Sequence, residues 1–342
     1  MPVGNGTRYL VTGGAGFIGS HLVDALLERG DAVVALDNLS TGRPSNLDAA
    51  AQHPRFHLIQ GSVLDELVVD EAVHQCDIVV HLAAAVGVQL IVDQPLRSLT
   101  TNIRGSEIVI EAAHRYRRKI LLASSSEIYG KNSTGALDED AERILGNPSV
   151  VRWAYSTAKA VDEILANAYY RERGLPTIVA RLFNAVGPRQ SHAYGMVLPR
   201  LVRQAIREEP LTVFGTGHQT RCFAHVSDVV DALIALLDTP SAVGQTFNVG
   251  SSEEISILRL AELVLEDTGT SSRSEVIPYD MAYGVGFEDM VRRVPNTAKL
   301  RRLTGWTPRY SLRDALRDAV AQARAEAVVT AQAEATGQLV TA

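Results

Sequence analysis

Tyr155-Ser156-Thr157-Ala158-Lys159 sets a phenol and an ammonium four residues apart, the spacing that puts both on one face of a helix. A free phenol has a pKa near 10, too high for a proton acceptor near neutrality. A neighbouring cation stabilises the phenolate and draws that value toward the working pH, so the pair reads as a general acid and base acting on a hydroxyl group. Earlier in the chain, Ala123-Ser124-Ser125-Ser126-Glu127-Ile128-Tyr129-Gly130 directly follows the apolar run Ile120-Leu121-Leu122. A serine at such a strand end can hold a substrate oxygen beside the phenol. Taken alone, the same residues also make a surface ion pair and a serine turn.

The stretch from Tyr9 to Gly19 runs from an apolar strand through Gly13, Gly16 and Gly19 into a helix. Gly13 permits a sharp turn, Gly16 lets the backbone approach a phosphate, and Gly19 lets the helix pack close to the strand. The helix N-terminus then faces the anion. The spacing departs from the common G-x-G-x-x-G, but a second apolar strand, Ala32-Val33-Val34-Ala35-Leu36, ends in Asp37, where a carboxylate can bond both hydroxyls of a ribose. A 2′-phosphate would be repelled there, so the expected cofactor is NAD rather than NADP, and its positive nicotinamide would further acidify the phenol.

Composition narrows the class. The 342 residues are 46% hydrophobic with a formal charge of −6 and no basic block, which fits a large α/β unit and gives no nucleic-acid or membrane surface. No run of eighteen apolar residues occurs, and the first strand begins by Arg8, so a cytoplasmic protein is expected. Cys76 and Cys222 read as reduced core thiols, and His81 as a core or loop-anchoring histidine. No cluster has metal-ligand spacing, and no metal is expected.

Strands expected near 8–12, 32–37, 56–60, 77–82, 119–124 and 176–181, with helices between, predict a doubly wound parallel (Rossmann) sheet. After Arg181 turn-rich pieces such as Phe214-Gly215-Thr216-Gly217 and Tyr283-Gly284-Val285-Gly286 mark a smaller lobe. The expected division is a cofactor domain over 1–182 with 224–250 returning to it, and an interleaved substrate lobe over 183–223 and 251–320. Residues 321–342 are expected to be a tail, the whole stretch from about Ala319 forming an exposed, fraying helix.

These residues resemble the extended short-chain dehydrogenase/reductases that modify nucleotide sugars. Gly13, Gly16, Gly19, Asp37, the Ser125 motif, Tyr155, Lys159, Asn184 in Arg-Leu-Phe-Asn-Ala-Val-Gly-Pro-Arg, and Thr220-Arg221-Cys222-Phe223-Ala224-His225 fall in family order. The resemblance implies catalytic Ser125, Tyr155 and Lys159, with Glu127 beside them. It implies cofactor contacts from Gly13, Gly16, Phe17, Ile18, Asp37, Asn38, Ser40, Thr41, Gly42, Ser62, Val63, Leu82, Ala83 and Ala84, in addition to Tyr155 and Lys159. Ser62 stands where family members usually carry an acid. Substrate contacts are implied for Ser125, Ser126, Asn184, Arg221, Asp289 and Arg293, with Val197 and Leu198 either lining a uracil pocket or opening a helix. A homodimer through helices near 96–117 and 155–173 is also implied.

Such enzymes oxidise a sugar hydroxyl, usually at C4, to a ketone whose fate sets the product. Return of the hydride to the other face makes an epimerase. Loss of a C5 carboxylate makes a decarboxylase, and loss of the C6 hydroxyl a 4,6-dehydratase. Glu127 is similar to the glutamate of UDP-glucuronate decarboxylases and of dehydratases, whereas Ala282 to Met290 with Arg292-Arg293 is similar to hexuronate-acting members, UDP-glucuronate 4-epimerases among them. The expectation taken forward is 4-epimerisation of UDP-glucuronate to UDP-galacturonate, with decarboxylation or dehydration as alternatives and a non-catalytic dinucleotide-binding regulator as the remotest. A carboxylate at C6 would be held by Ser125, Ser126 or loop donors near Arg189 and His192.

Overall fold

The computed structural model describes residues 6–284 and 286–335. Ten strands bear on the site: β1 (Arg8–Thr12), β2 (Ala32–Asp37), β3 (Phe56–Gln60), β4 (Ile78–His81), β5 (Lys119–Ser125), β6 (Thr177–Leu182), β7 (Thr220–Cys222), β8 (Gln245–Val249), β9 (Glu254–Ser256) and β10 (Arg292–Arg293). Seven of them make one sheet in the order β8-β6-β5-β4-β1-β2-β3, every pair parallel. β2 is buried at every position, as a strand covered on both faces must be. The chain winds outward from β1 through β2 and β3 in one direction and from β4 to β8 in the other. The crevice at the carboxyl ends therefore opens between β1 and β4, where ligands of doubly wound sheets sit.

The longer helices are α1 (Phe17–Glu28), α2 (Glu66–His74), α3 (Pro95–Arg115), α4 (Ala154–Arg173), α5 (Val197–Ile206), α6 (Val226–Asp238), α7 (Ile257–Thr268) and α8 (Leu312–Ala335). α1 and α6 pack on one face of the sheet and α2, α3 and α4 on the other, each face with its own apolar core. α4 follows a 3-10 turn at Val151–Trp153 and ends on Gly174 at φ +68, the left-handed stop that glycine allows. This places Tyr155 in the first turn of α4, at the mouth of the crevice.

A third core joins α5, α7 and α8. The stretch expected as a tail is the later part of α8. α8 begins at Leu312, and Leu312, Ala315, Leu316 and Val320 recur at i, i+3, i+4 and i+8, a buried stripe in this core. Only its later turns are exposed, and residues 336–342 of the expected tail lie outside the described ones. Val285 of the turn-rich segment does too. Cys76 and Cys222 are buried free thiols, and no helix is long and apolar enough to cross a membrane among the described residues.

Candidate active site

A cavity of about 440 Å³ follows the carboxyl ends of the strands from the α1 N-terminus to β7 and β10. Of the residues the sequence pointed to, Gly13, Gly16, Phe17, Ile18, Asp37, Asn38, Ser40, Thr41, Val63, Leu82, Ala83, Ala84, Ser125, Ser126, Glu127, Tyr155, Lys159, Asn184, Val197, Leu198, Arg221, Asp289 and Arg293 line it. Val197 also opens α5. Ser62 and Gly42 are not among the lining residues. The Ser62 Oγ accepts the Leu64 N–H at 3.1 Å within a local turn, its neighbours Gly61 and Val63 line the cavity, and a Cβ on Gly42 would come 3.0 Å from an Asp37 oxygen.

The α1 end is built for a phosphate. Gly16 precedes the helix in extended conformation, no side chain caps the first turn, and no acidic residue stands in it, so its N–H groups are left for an anion. Gly13 takes φ +71, a Cβ on Gly16 would lie 3.0 Å from Gly13 O, and one on Gly19 would collide with that same oxygen. Asp37 Oδ2 accepts the Ala15 N–H at 2.9 Å and Oδ1 the Leu39 N–H at 2.8 Å. Burial raises its pKa, against those two bonds. A carboxylate offers about four acceptor positions, so Asp37 can brace the glycine turn and still meet a ribose. These residues fit a dinucleotide.

At the other end the phenol of Tyr155 is 6% exposed beside Lys159. Burial pushes Tyr155 above its ordinary value, Lys159 pulls it down as its spacing predicts, and Glu127 and Asp162 push it up again. The sequence shows the lysine but neither the burial nor the carboxylates. Ser125 Oγ accepts the Glu127 N–H at 3.2 Å, which leaves its own proton free to donate; that hydroxyl also stabilises the phenolate.

Glu127 is clamped. Arg152 Nη2 donates to its Oε1 at 2.9 Å, Arg152 Nη1 bonds its Oε2, and Arg293 Nη1 donates to Oε1 at 2.6 Å. Burial pushes the carboxyl up, but the two guanidiniums hold it well below the usual carboxylate range. Asp289 is the second counter-ion, accepting from Arg221 at 2.9 Å, Arg152 at 3.2 Å and the Tyr279 hydroxyl at 3.2 Å. Asn184 donates to Cys222 O at 2.8 Å and accepts from Arg293, so it fixes β7 and that arginine. Arg292 turns outward to Glu254.

Arg152 was missed from sequence, although its place three residues before Tyr155 was a signal. With Arg221 and Arg293 it makes three guanidiniums against two carboxylates, an excess of one positive charge in a buried pocket. Such a pocket is suited to an anionic ligand.

Residues 9–250 match the NAD dependent epimerase/dehydratase family. The chain is 37% identical over 312 residues to the UDP-N-acetyl-alpha-D-glucosaminuronate decarboxylase of Bacillus cytotoxicus, covering 91% of this chain and 96% of that one. It is 37% identical over 321 residues to UDP-glucuronic acid decarboxylase 1 of Arabidopsis thaliana, covering 92% of this chain and 70% of the relative. The structure of UDP-glucuronic acid 4-epimerase from Bacillus cereus, in complex with UDP-glucuronic acid and NAD, superposes with a TM-score of 0.84 at 29% identity, covering 93% and 99%. With the glycine cradle, Asp37 and the tyrosine-lysine pair in one cavity, the chain belongs to the NAD dependent epimerase/dehydratase family of extended short-chain dehydrogenase/reductases, and NAD is its cofactor.

Proposed function

We propose that the protein oxidises C4 of a UDP-hexuronate, UDP-glucuronate in the first instance, and then releases the C6 carboxylate as carbon dioxide. The observation that carries this reading is the Glu127 carboxylate, fixed between Arg152 and Arg293 at the end of the strand that bears Ser125. A carboxylate so strongly acidic is a poor base. That argues against a 4,6-dehydratase, in which Glu127 would have to remove the C5 proton.

NAD, when bound, accepts the C4 hydride and can return it. Tyr155 takes the O4 proton, Lys159 steadies the phenolate, and Ser125 donates its free proton to the same oxygen. Once C4 is a ketone, the C5–C6 electron pair moves toward O4 as carbon dioxide leaves, and C5 is then protonated. The donors at O4 stabilise the charge arriving there, while the fixed charge of Glu127 disfavours keeping negative charge at C6. The product is a UDP-4-keto pentose, or a UDP-pentose if the hydride returns.

Arg221 and Arg293, whose guanidiniums suit a diphosphate, would hold the nucleotide phosphates, with Asn184 and Asp289 fixing them and Val197 and Leu198 beside the base. The expected cofactor-domain and lobe boundaries, and a homodimer through α3 and α4, stay part of this proposal. The two relatives at 37% identity, both hexuronate decarboxylases, support decarboxylation over the 4-epimerisation expected from sequence. The likeness to the Bacillus cereus 4-epimerase keeps epimerisation as the second reading. Incubation with UDP-glucuronate and analysis of the sugar tests it: a UDP-pentose or its 4-keto form is expected, and UDP-galacturonate as the sole product would overturn it.

A further inference from the structure

The ammonium of Lys159 has a carboxylate partner that none of these roles uses. Asp162, one turn further along α4, accepts from Lys159 Nζ at 3.0 Å, and the two side chains are 0% and 3% exposed. Asp162 Oδ1 makes no hydrogen bond to the described residues, so Lys159 is the direct partner. Burial raises the pKa of this carboxyl, while Lys159 and, more weakly, Ser106 of α3 pull it down. Behind it, Ser106 Oγ lies 3.1 Å from His81 Nε2, and His81 Nδ1 lies 2.8 Å from Thr12 Oγ1.

Burial, with Lys159 adding to it, pushes His81 down to about 3, so its ring is neutral and has a single N–H, shared between Thr12 and Ser106. Lys159 and Ser106 are the two groups that favour the charged form of Asp162.

We propose that Asp162 is a positioning residue that shares the Lys159 charge, so that the oxidised nicotinamide rather than the lysine alone decides when Tyr155 gives up its proton. The charges facing the phenol are Lys159 and Asp162 of its own helix and Glu127 after β5. Those facing Lys159 are Asp162, Tyr155 and Glu163 of α4, together with the neutral His81 of β4. Lysine alone would give the phenol an unbalanced cation, which Asp162 balances. The phenol therefore keeps its proton until the positive ring arrives, loses it while that charge is present, and holds the substrate proton once the ring has been reduced and is neutral. This rests on the reading of Tyr155 as the proton acceptor.

The test is the ultraviolet difference absorbance of tyrosinate, wild type against Tyr155→Phe, in protein saturated with NAD and with NADH across pH. In the wild type the phenol is expected to ionise at least about one pH unit lower with NAD than with NADH, and above about pH 8 with NADH. Asp162→Asn is expected to lower both midpoints by about one unit, and Asp162→Glu to restore them. Unchanged midpoints in the Asn variant, or an equal shift in Asn and Glu, would overturn the proposal. If the Asn variant does not fold, a wild-type NADH midpoint below about pH 8 overturns it instead. Turnover of Tyr155→Phe tests the underlying reading separately, because the titration reports coupling between Asp162 and Tyr155 whether or not the phenol is the acceptor.

Discussion

Arg293 reaches Glu127 across 166 residues of sequence, its Nη1 donating to Oε1 at 2.6 Å. The bond ties β10 of the substrate side to the end of β5 beside the cofactor cavity. Glu127→Gln keeps the shape and removes the charge, leaving Arg152 and Arg293 short of a counter-ion. A loss of about 3–5 kcal/mol in denaturant unfolding is expected, together with slower turnover. Unaltered stability would mean that the clamp contributes nothing.

The sign of the pH effect at Glu127 follows from its depressed pKa. A carboxyl held below its unfolded value, about 4.3, gives stability that is fully present above that value and is lost as pH falls toward the folded one. The gap between wild type and Glu127→Gln should be constant from neutrality to about pH 5 and narrow below about pH 4. A gap that widens on acidification would contradict the assignment.

His81 titrates in a separate window. Its folded value near 3 lies below the ordinary imidazole value of 6.5, so the unfolded chain binds the proton first and stability falls as pH drops between the two. Wild type should lose up to about 1.4 kcal/mol per pH unit in this range relative to His81→Gln. Parallel stability curves for the two proteins would refute a neutral buried imidazole.

Gly19→Ala probes the cradle. Its Cβ would collide with Gly13 O, so the turn and α1 cannot keep their spacing. At least a tenfold loss in NAD affinity is expected, roughly 1.4 kcal/mol, measured by calorimetric titration. Wild-type affinity would place the dinucleotide elsewhere.

Ser125→Ala removes the hydroxyl that the proposed mechanism uses at O4, and with it the acceptor of the Glu127 N–H. A fall in kcat of about 10²-fold with KM little changed is expected from steady-state kinetics. A change confined to KM would make Ser125 a binding residue only.

The sheet was legible because strands covered on both faces must be continuously apolar, as Ala32 to Leu36 and Ile120 to Leu122 are. The glycine spacing and the Tyr155–Lys159 interval carried the two ends of the site. What sequence could not show is which charges meet. Glu127, Arg152, Asp289 and Arg293 are far apart in the chain and joined only by the fold. The elevated Tyr155 pKa is invisible for the same reason, since it depends on burial and on two carboxylates, Glu127 after β5 and Asp162 of α4.

The central claim is that a C4 ketone made beside Tyr155 discharges a neighbouring carboxylate. Supplying UDP-glucuronate labelled with carbon-13 at C6 and following the gas and nucleotide fractions together tests it most directly. The account predicts labelled carbon dioxide in step with unlabelled UDP-pentose or its 4-keto form, and none from Tyr155→Phe. Label retained in a UDP-hexuronate inverted at C4, with no labelled gas, would contradict it.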